Sequence, residues 1–223
     1  MNITFICNTH ANIINEKDII SLKNACCYGL MMGIETGNEK LRKETLNKQI
    51  SNTQIIKTAG LIKKYDIKLL TFNMLGLPGE TLENALETIK LNIKIKADYC
   101  YSGILQPFPK TKISEYAIKN DYLHKDFNLC EAINHRGVYF KSKYKNQLNN
   151  LSNIFYIVVK NPKWMPLAKD LIELQFNNLF EKIGALSYGY NVIRFYRMDK
   201  LAALHFYLVS YNIIKNQLVP VKK

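Results

Sequence analysis

The sequence predicts an α/β fold built on parallel strands, followed by a helical C-terminal region. Three observations carry this. Short β-type runs alternate with amphipathic helical stretches in the order β-α-β-α-β-α-β, a pattern that pairs strands in parallel through crossover helices. One of these runs, Tyr28 to Ile34, is almost continuously apolar, as expected of a strand buried on both faces. Beyond Lys125 the alternation stops and only helical periodicity remains.

Taken in order, Ile3 to Cys7 reads as the first strand and Glu16 to Ala25 as a helix, with Ile19, Ile20 and Leu22 at helix-compatible spacing. Tyr28 to Ile34 is the second strand and ends at Glu35, Thr36 and Gly37. Helices are expected over Glu39 to Leu46 and Thr53 to Tyr65, the latter entered through Ser51-Asn52-Thr53-Gln54, which has the form of a capping box. Lys68 to Leu75 is the third strand, Leu82 to Ile95 a helix, and Tyr99 to Leu105 the fourth strand, closed by Gln106-Pro107-Phe108-Pro109. Leu148 to Val159, Leu167 to Ile183 and Met198 to Ile214 are the predicted C-terminal helices, with Pro162 and Pro166 bracketing a turn around Trp164. The expected division is residues 1–124 for the α/β part and 125–223 for the helical part.

Composition narrows the class. A chain of 223 residues, 48% hydrophobic and 11% aromatic, is long enough to bury a substantial core. Lys and Arg outnumber Asp and Glu by 31 to 18, a formal charge of +13. The lysines are scattered and Arg is scarce, with no phosphate-tracking array, which argues against nucleic acid as the partner. The cysteines at 7, 26, 27, 100 and 130 are odd in number and share no spacing, so neither a disulfide framework nor a metal motif is expected, and a reducing cytoplasm is the simpler setting. The longest apolar tract, Leu201 to Ile214, is too short and too polar to span a bilayer. Tyr188, Tyr190, Phe195 and Tyr196 read as packing residues.

The most informative segment is Leu75 to Thr81, Leu-Gly-Leu-Pro-Gly-Glu-Thr, at a strand-to-helix junction. Gly76 and Gly79 let the backbone turn and approach a ligand, Pro78 stiffens the turn, and Thr81 supplies an N-cap hydroxyl. In a parallel sheet, ligand groups collect at the carboxyl ends of the strands. Those ends offer Asn8, Thr9 and His10, then Glu35, then Asn73 and the Gly76 to Glu80 loop, then Gln106 and Pro107.

The ordered set Gly-Ile-Glu-Thr-Gly, Asn47-Lys48, Gly-Leu-Pro-Gly-Glu-Thr and Pro-Phe-Pro-Lys-Thr resembles the second half of a radical S-adenosylmethionine (radical SAM) enzyme. The similarity is to the branch whose members usually carry a cobalamin-binding domain ahead of the barrel. It covers about Ile3 to Leu123, and Asn-Pro-Lys-Trp-Met-Pro-Leu within Asn150 to Leu174 looks like the helical tail common in that branch. The implied fold is a partial TIM-like barrel with a helical tail. The implied cofactors are S-adenosylmethionine, a 4Fe-4S cluster and, in that branch, cobalamin, which would extend the radical chemistry to methyl transfer.

The resemblance also implies site residues. Glu35 takes the place of the strand-end polar residue that holds the amino or ribose groups of S-adenosylmethionine, and a carboxylate can accept hydrogen bonds from either. Lys48 matches a basic residue that meets the methionine carboxylate; as a residue it reads equally as an exposed helix lysine. Asn73, Met74 and Gly76 match the region passing the adenine, with core packing as the competing account of Met74, and Pro107 closes the next strand. His10 stands where relatives carry a basic residue, or is an ordinary loop histidine. No catalytic residue is assigned.

The chain departs from the family at one point. The Cys-x-x-x-Cys-x-x-Cys triplet that binds three irons of the cluster is absent. By the family layout the chain begins at the third strand, so the expectation is a fragment, split form or late start whose exposed strand edge calls for an upstream polypeptide to complete the barrel. Two other readings stand beside it: a degenerate, non-catalytic barrel serving as a binding or assembly module, and an RNA-modifying relative for which the basic charge supplies steering.

Overall fold

The computed structural model describes residues 3–128 and 137–206. Four strands form one sheet in the order β1-β2-β3-β4, every neighbour parallel: β1 (Phe5–Thr9), β2 (Cys27–Glu35), β3 (Lys68–Leu75) and β4 (Tyr99–Ile104). The crossovers are α1 (Glu16–Asn24) between β1 and β2, α2 (Glu39–Leu46) and α3 (Asn52–Lys64) between β2 and β3, and α4 (Leu82–Lys94) between β3 and β4. After β4 come α5 (Lys112–Lys119), α6 (Lys145–Lys160), a short 3₁₀ turn (Pro162–Trp164), α7 (Met165–Leu171) and α8 (Asn177–Phe195).

Local chemistry fixes most of these boundaries. Asn15, Ser51 and Thr81 each accept from a backbone N–H of the turn they cap, and the third helical residue answers with its side chain, so α1, α3 and α4 all begin with a capping box. Asn47 ends α2 in the left-handed conformation at φ 50°, which Asn tolerates better than most residues. Its immediate successor is Lys48.

Alternation along the strands divides the sheet into two faces. Leu30, Met32 and Ile34 of β2 and Leu69 of β3 point to the helical layer and pack with Ile19, Ile55 and Ile62 of α1 and α3. Leu75 and Cys100 belong to a second core with Ala85 and Ile89 of α4 and Leu148, Leu151, Phe155 and Val158 of α6. The opposite face carries Gly29, Gly33, Phe72, Met74 and Tyr101. The carboxyl-terminal end of α8 reaches this face, where a Cβ on Gly29 would sit 2.9 Å from the Phe195 ring. Phe195 is fully buried, 5.3 Å from the Tyr99 ring.

Gly37 lets the β2-α2 loop lie directly on α4. A Cβ there would overlap the Glu87 carbonyl, and the Gly37 N–H donates to Thr88 Oγ1 at 2.8 Å. Gly37→Ala is therefore expected to lower the unfolding free energy by about 2 kcal/mol, the range for forced overpacking, measured by denaturant titration.

The chain differs from the sequence expectation in four places. The first strand lies two residues later than expected, at Phe5–Thr9. Helix α5 follows the Pro-Phe-Pro-Lys-Thr segment, capped by Thr111, where no helix is expected from the sequence. The single helix expected over Leu167 to Ile183 is two, α7 and α8, separated at 172–176, and α8 runs on to Phe195. Ile172 is fully buried and its carbonyl, with that of Leu174, accepts from Asn150 Nδ2 at 3.0 and 2.9 Å, so tertiary bonds to α6 replace helical ones at the break. Of the helix expected over Met198 to Ile214, residues 200–206 are helical and 207–214 lie outside the described residues, as does Cys130. Among the described residues, no helix is long and apolar enough to cross a membrane.

Candidate functional site

At the carboxyl end of β2 the regular pairing with β3 breaks. Gly33 pairs with Phe72 but Glu35 pairs with Asn73, leaving Ile34 as the extra residue of a bulge. Glu35 sits at φ 67°, a region sparsely populated by side chains other than glycine. The bulge brings its carboxylate back over the same face as Gly33.

There it meets Lys48. The ammonium donates to Glu35 Oε1 at 2.8 Å and to the Gly33 carbonyl at 2.9 Å, with both side chains more than four-fifths buried. Gly33 is required by this arrangement, because a Cβ at that position would overlap the Glu35 carboxylate and approach the Lys48 ammonium to 3.2 Å. Lys48 is aimed by the left-handed turn at Asn47 and by its own N–H, which donates to the Arg42 carbonyl.

Arg42 holds the whole loop. Its side chain is fully buried, and its guanidinium donates to the carbonyls of Ile34, Thr36 and Ile50 and to Asn52 Oδ1, at 3.2 Å for Ile34, 2.8 Å for Ile50 and 2.7 Å for Asn52. Burial pulls its pKa below the usual guanidinium value, with Glu39 and Glu35 opposing the shift. The residues on either side of Glu35 are thus fixed by one cation, while Thr36 and Gly37 are tied to Thr88 of α4.

The β3-α4 loop is held by its own glutamate. Glu80 Oε2 accepts from the backbone N–H of Gly76 at 2.6 Å and of Leu77 at 3.3 Å, closing the Gly-Leu-Pro-Gly turn, in which Gly76 and Gly79 have φ of 74° and 79°. Its second oxygen is buried with no hydrogen-bond partner. Burial raises the carboxyl pKa to about 8, against the two N–H donors that favour the charged form.

A cavity of about 680 Å³ opens beside these loops, lined by Gly33, Glu35, Phe72, Met74, Tyr101 and residues 103–106, and closed by Phe108, Thr111 and Ile113. Its size and largely apolar lining, with few polar groups at one end, suit a small-molecule site. Phe72 and Tyr101 form its floor, with ring centroids 6.1 Å apart in edge-to-face geometry.

The residues singled out in the sequence are distributed unevenly around it. Glu35 and Met74 line the cavity, and Lys48 adjoins it through its ion pair with Glu35. Asn73 lines it while turning its amide toward α4: Nδ2 donates to the Tyr101 carbonyl at 3.0 Å and Oδ1 accepts from Asn92 Nδ2 at 2.7 Å. Gly76 is covered by Val138, whose Cγ2 lies 2.9 Å from where a Cβ would be, and Pro107 is buried between the lining residues Gln106 and Phe108. His10 closes β1 and pairs with Asn12. Sequence reasoning missed Arg42, Phe72 and Tyr101, and took in Gly33 only as the first residue of the Gly-Ile-Glu-Thr-Gly motif, without a role of its own.

A parallel α/β sheet with a charged, apolar-backed cavity at the carboxyl ends of its strands is the layout of an α/β-barrel enzyme. Residues 1–91 match the Radical SAM superfamily. The chain is 32% identical over 123 residues to the uncharacterized methyltransferase PH0819 of Pyrococcus horikoshii, covering 55% of this chain and 27% of that protein. It is 26% identical over 147 residues to the tRNA-2-methylthio-N(6)-dimethylallyladenosine synthase of Clostridium perfringens, covering 63% of this chain and 33% of that one. The chain therefore spans about a quarter to a third of the length of these relatives. In structure it is similar to coproporphyrinogen III oxidase of Escherichia coli, a radical SAM enzyme, with a TM-score of 0.51 at 14% identity over 69% of this chain and 31% of the other; that likeness is one of fold.

The residues here do not fit the family's 4Fe-4S cluster. The sequence lacks the cysteine triplet, and among the described residues no three His, Cys, Asp or Glu side chains gather as metal ligands. Cys100 is buried and its thiol is pushed far up by desolvation, while burial and the neighbouring Cys7 raise Cys27 to about 11. These are packing cysteines in the thiol form.

Proposed function

We propose that this chain forms the S-adenosylmethionine wall, and part of the substrate wall, of a radical SAM enzyme whose cluster ligands come from outside these 223 residues. The observation that carries the reading is the Glu35-Lys48 pair, laid across Gly33 at the mouth of the cavity. S-adenosylmethionine is the radical precursor of this family's chemistry. This chain binds and orients it. Glu35 accepts from the ligand's ammonium or ribose hydroxyls, Lys48 exchanges its contact with Glu35 for the methionine carboxylate, and Met74 and Phe72 supply an apolar wall for the adenine. The methyltransferase name of the Pyrococcus relative supports methyl transfer as the outcome.

Equilibrium binding of S-adenosylmethionine to the intact chain tests this. Glu35→Ala is expected to weaken binding by about 1 to 3 kcal/mol, the usual range for a hydrogen bond to a charged group, and also to lower the melting temperature, because it leaves the buried Lys48 ammonium without its carboxylate; affinities are therefore compared at a temperature where both proteins are folded. Equal affinity in the two proteins overturns the assignment.

A second reading, modification of RNA, is favoured by the tRNA-modifying relatives and the formal charge of +13. It requires tRNA binding that weakens steeply with salt. Salt-independent or absent binding removes it.

A further inference from the structure

Gly103 lies in β4 on the cavity face, two residues after Tyr101 and directly across from Met74 of β3. A glycine within a strand forgoes side-chain packing and costs backbone entropy, so its presence calls for a reason. Two other strand glycines on this face have one inside the chain. A Cβ on Gly29 would meet the Phe195 ring at 2.9 Å, and a Cβ on Gly33 would overlap the Glu35 carboxylate. Gly103 has neither a conformational nor a steric reason. Its φ lies outside the left-handed region, and a Cβ there would meet nothing nearer than the Tyr101 ring, at an ordinary 3.5 Å. The space over Gly103 is left open toward the cavity, and close approach of a ligand to the backbone is one of the few uses of such a glycine.

The surrounding side chains define what approaches. Tyr101 and Phe108 keep 41% and 51% of their surfaces exposed, and with Met74, Leu105 and Ile113 they line this half of the cavity. Phe108 is held in place from behind: its carbonyl accepts from Thr111 Oγ1 at 2.7 Å and from Ser114 Oγ at 2.8 Å, so the start of α5 pins its backbone. The polar side chains of the lining are engaged within the chain. Asn73 bonds the Tyr101 carbonyl and Asn92, Gln106 Nε2 donates to the Gly137 carbonyl at 3.0 Å, and Thr111 is turned to Phe108. Among the described lining residues only Glu35 is charged, and Lys48 holds it at the β2 end.

We propose that the space over Gly103 is the substrate half of the mouth cavity and takes a flat, uncharged, largely apolar ring system, an assignment that rests on reading the Glu35-Lys48 end as the S-adenosylmethionine site. The ring lies on the Gly103 backbone against Met74, Tyr101 and Phe108. Flatness matches a bare backbone floor bordered by two aromatic rings. Neutrality follows from the lining, because a charge in this half would be desolvated without a partner. The cavity of about 680 Å³ has room for fused rings beside the adenine, since about 150 Å³ already holds benzene. Gly103 is then a specificity residue, because any side chain there takes up the space in which the ring lies.

The probes are 2-naphthalenemethanol, which is neutral, and 2-naphthoate, its anionic counterpart, titrated against the intact chain by naphthalene fluorescence. The expected result is saturable binding of the alcohol, tighter than that of naphthoate by about tenfold or more. Gly103→Val fills the space with a residue that strands favour, so it should cut the affinity for the alcohol by about tenfold or more while the melting temperature holds or rises. Gly103→Ala, which adds one methyl group at an ordinary distance, should weaken the alcohol in the same direction and serves if the valine variant does not fold. No saturable binding of the alcohol, equal affinity for naphthoate, or unchanged affinity in the folded Gly103 variants overturns the proposal. S-adenosylmethionine is titrated separately into the unaltered chain and Glu35→Ala. Binding of S-adenosylmethionine that depends on Glu35, without binding of the alcohol, removes the ring site alone. Binding of the alcohol that depends on Gly103, without binding of S-adenosylmethionine, supports the ring site and removes the S-adenosylmethionine reading.

Discussion

Replacing Arg42 with methionine is expected to cost about 3 to 5 kcal/mol of stability, in the upper range for breaking a buried hydrogen-bond network. The aliphatic stem is preserved, so the loss is chiefly that of hydrogen bonds. Three carbonyls and the Asn52 amide oxygen lose their shared donor inside the protein, where water cannot replace it. For a chain of this length the melting temperature should fall on the order of 10 °C. Arg42→Lys should restore less than half of the loss, because an ammonium is a point donor and cannot span the Ile34, Thr36 and Ile50 carbonyls as a planar guanidinium does. The same variants should weaken S-adenosylmethionine binding, since Ile34 and Thr36 hold Glu35 between them. A loss below about 1 kcal/mol in Arg42→Met would show that the loop keeps its shape without the guanidinium, contrary to this description.

The second large effect depends on pH. Glu80 has an ordinary value of 4.5 and a folded value of about 8, so the folded chain holds the proton more tightly than the unfolded one. Stability attributable to this group is therefore complete below pH 4.5 and falls as the pH rises toward 8, above which both states are ionised and the penalty is constant. The shift bounds that penalty at about 5 kcal/mol. Glu80→Gln removes the titration while keeping an oxygen to accept from Gly76 and Leu77. Unfolding free energies of the two proteins, measured from pH 4.5 to 8.5, should diverge, the glutamine variant gaining on the wild-type chain as pH rises. Parallel curves would mean that the Glu80 carboxyl titrates normally.

Much of the sheet was legible in the sequence, because an apolar run such as Tyr28 to Ile34 and a capping box such as Ser51 to Gln54 are local signals. The charge pair was only half legible. Glu35 and Lys48 lie 13 positions apart, and what joins them is a bulge at Ile34, a left-handed Asn47 and the empty space over Gly33, none of which has a hydrophobic period. Arg42 was invisible for a related reason: in a helix reading Glu-Lys-Leu-Arg-Lys-Glu, a basic residue looks solvated, and only the tertiary structure shows four acceptors converging on it. The break between α7 and α8 was hidden because Asn150, more than twenty residues away, bonds the carbonyls that a continuous helix would have used. Of the four aromatic residues read as packing, Phe195 is buried with its ring over Gly29, whereas Tyr188, Tyr190 and Tyr196 are about half exposed.

The most direct test of the central claim, that the carboxyl edge of this sheet is the S-adenosylmethionine wall, is amide hydrogen exchange of the intact chain with and without millimolar S-adenosylmethionine. Slower exchange is predicted in residues 33–36, 74–77 and 104–108, where the backbone borders the cavity and its loops, and Glu35→Ala should remove it. Unchanged exchange in all three segments, or protection confined to other parts of the chain, would contradict the account.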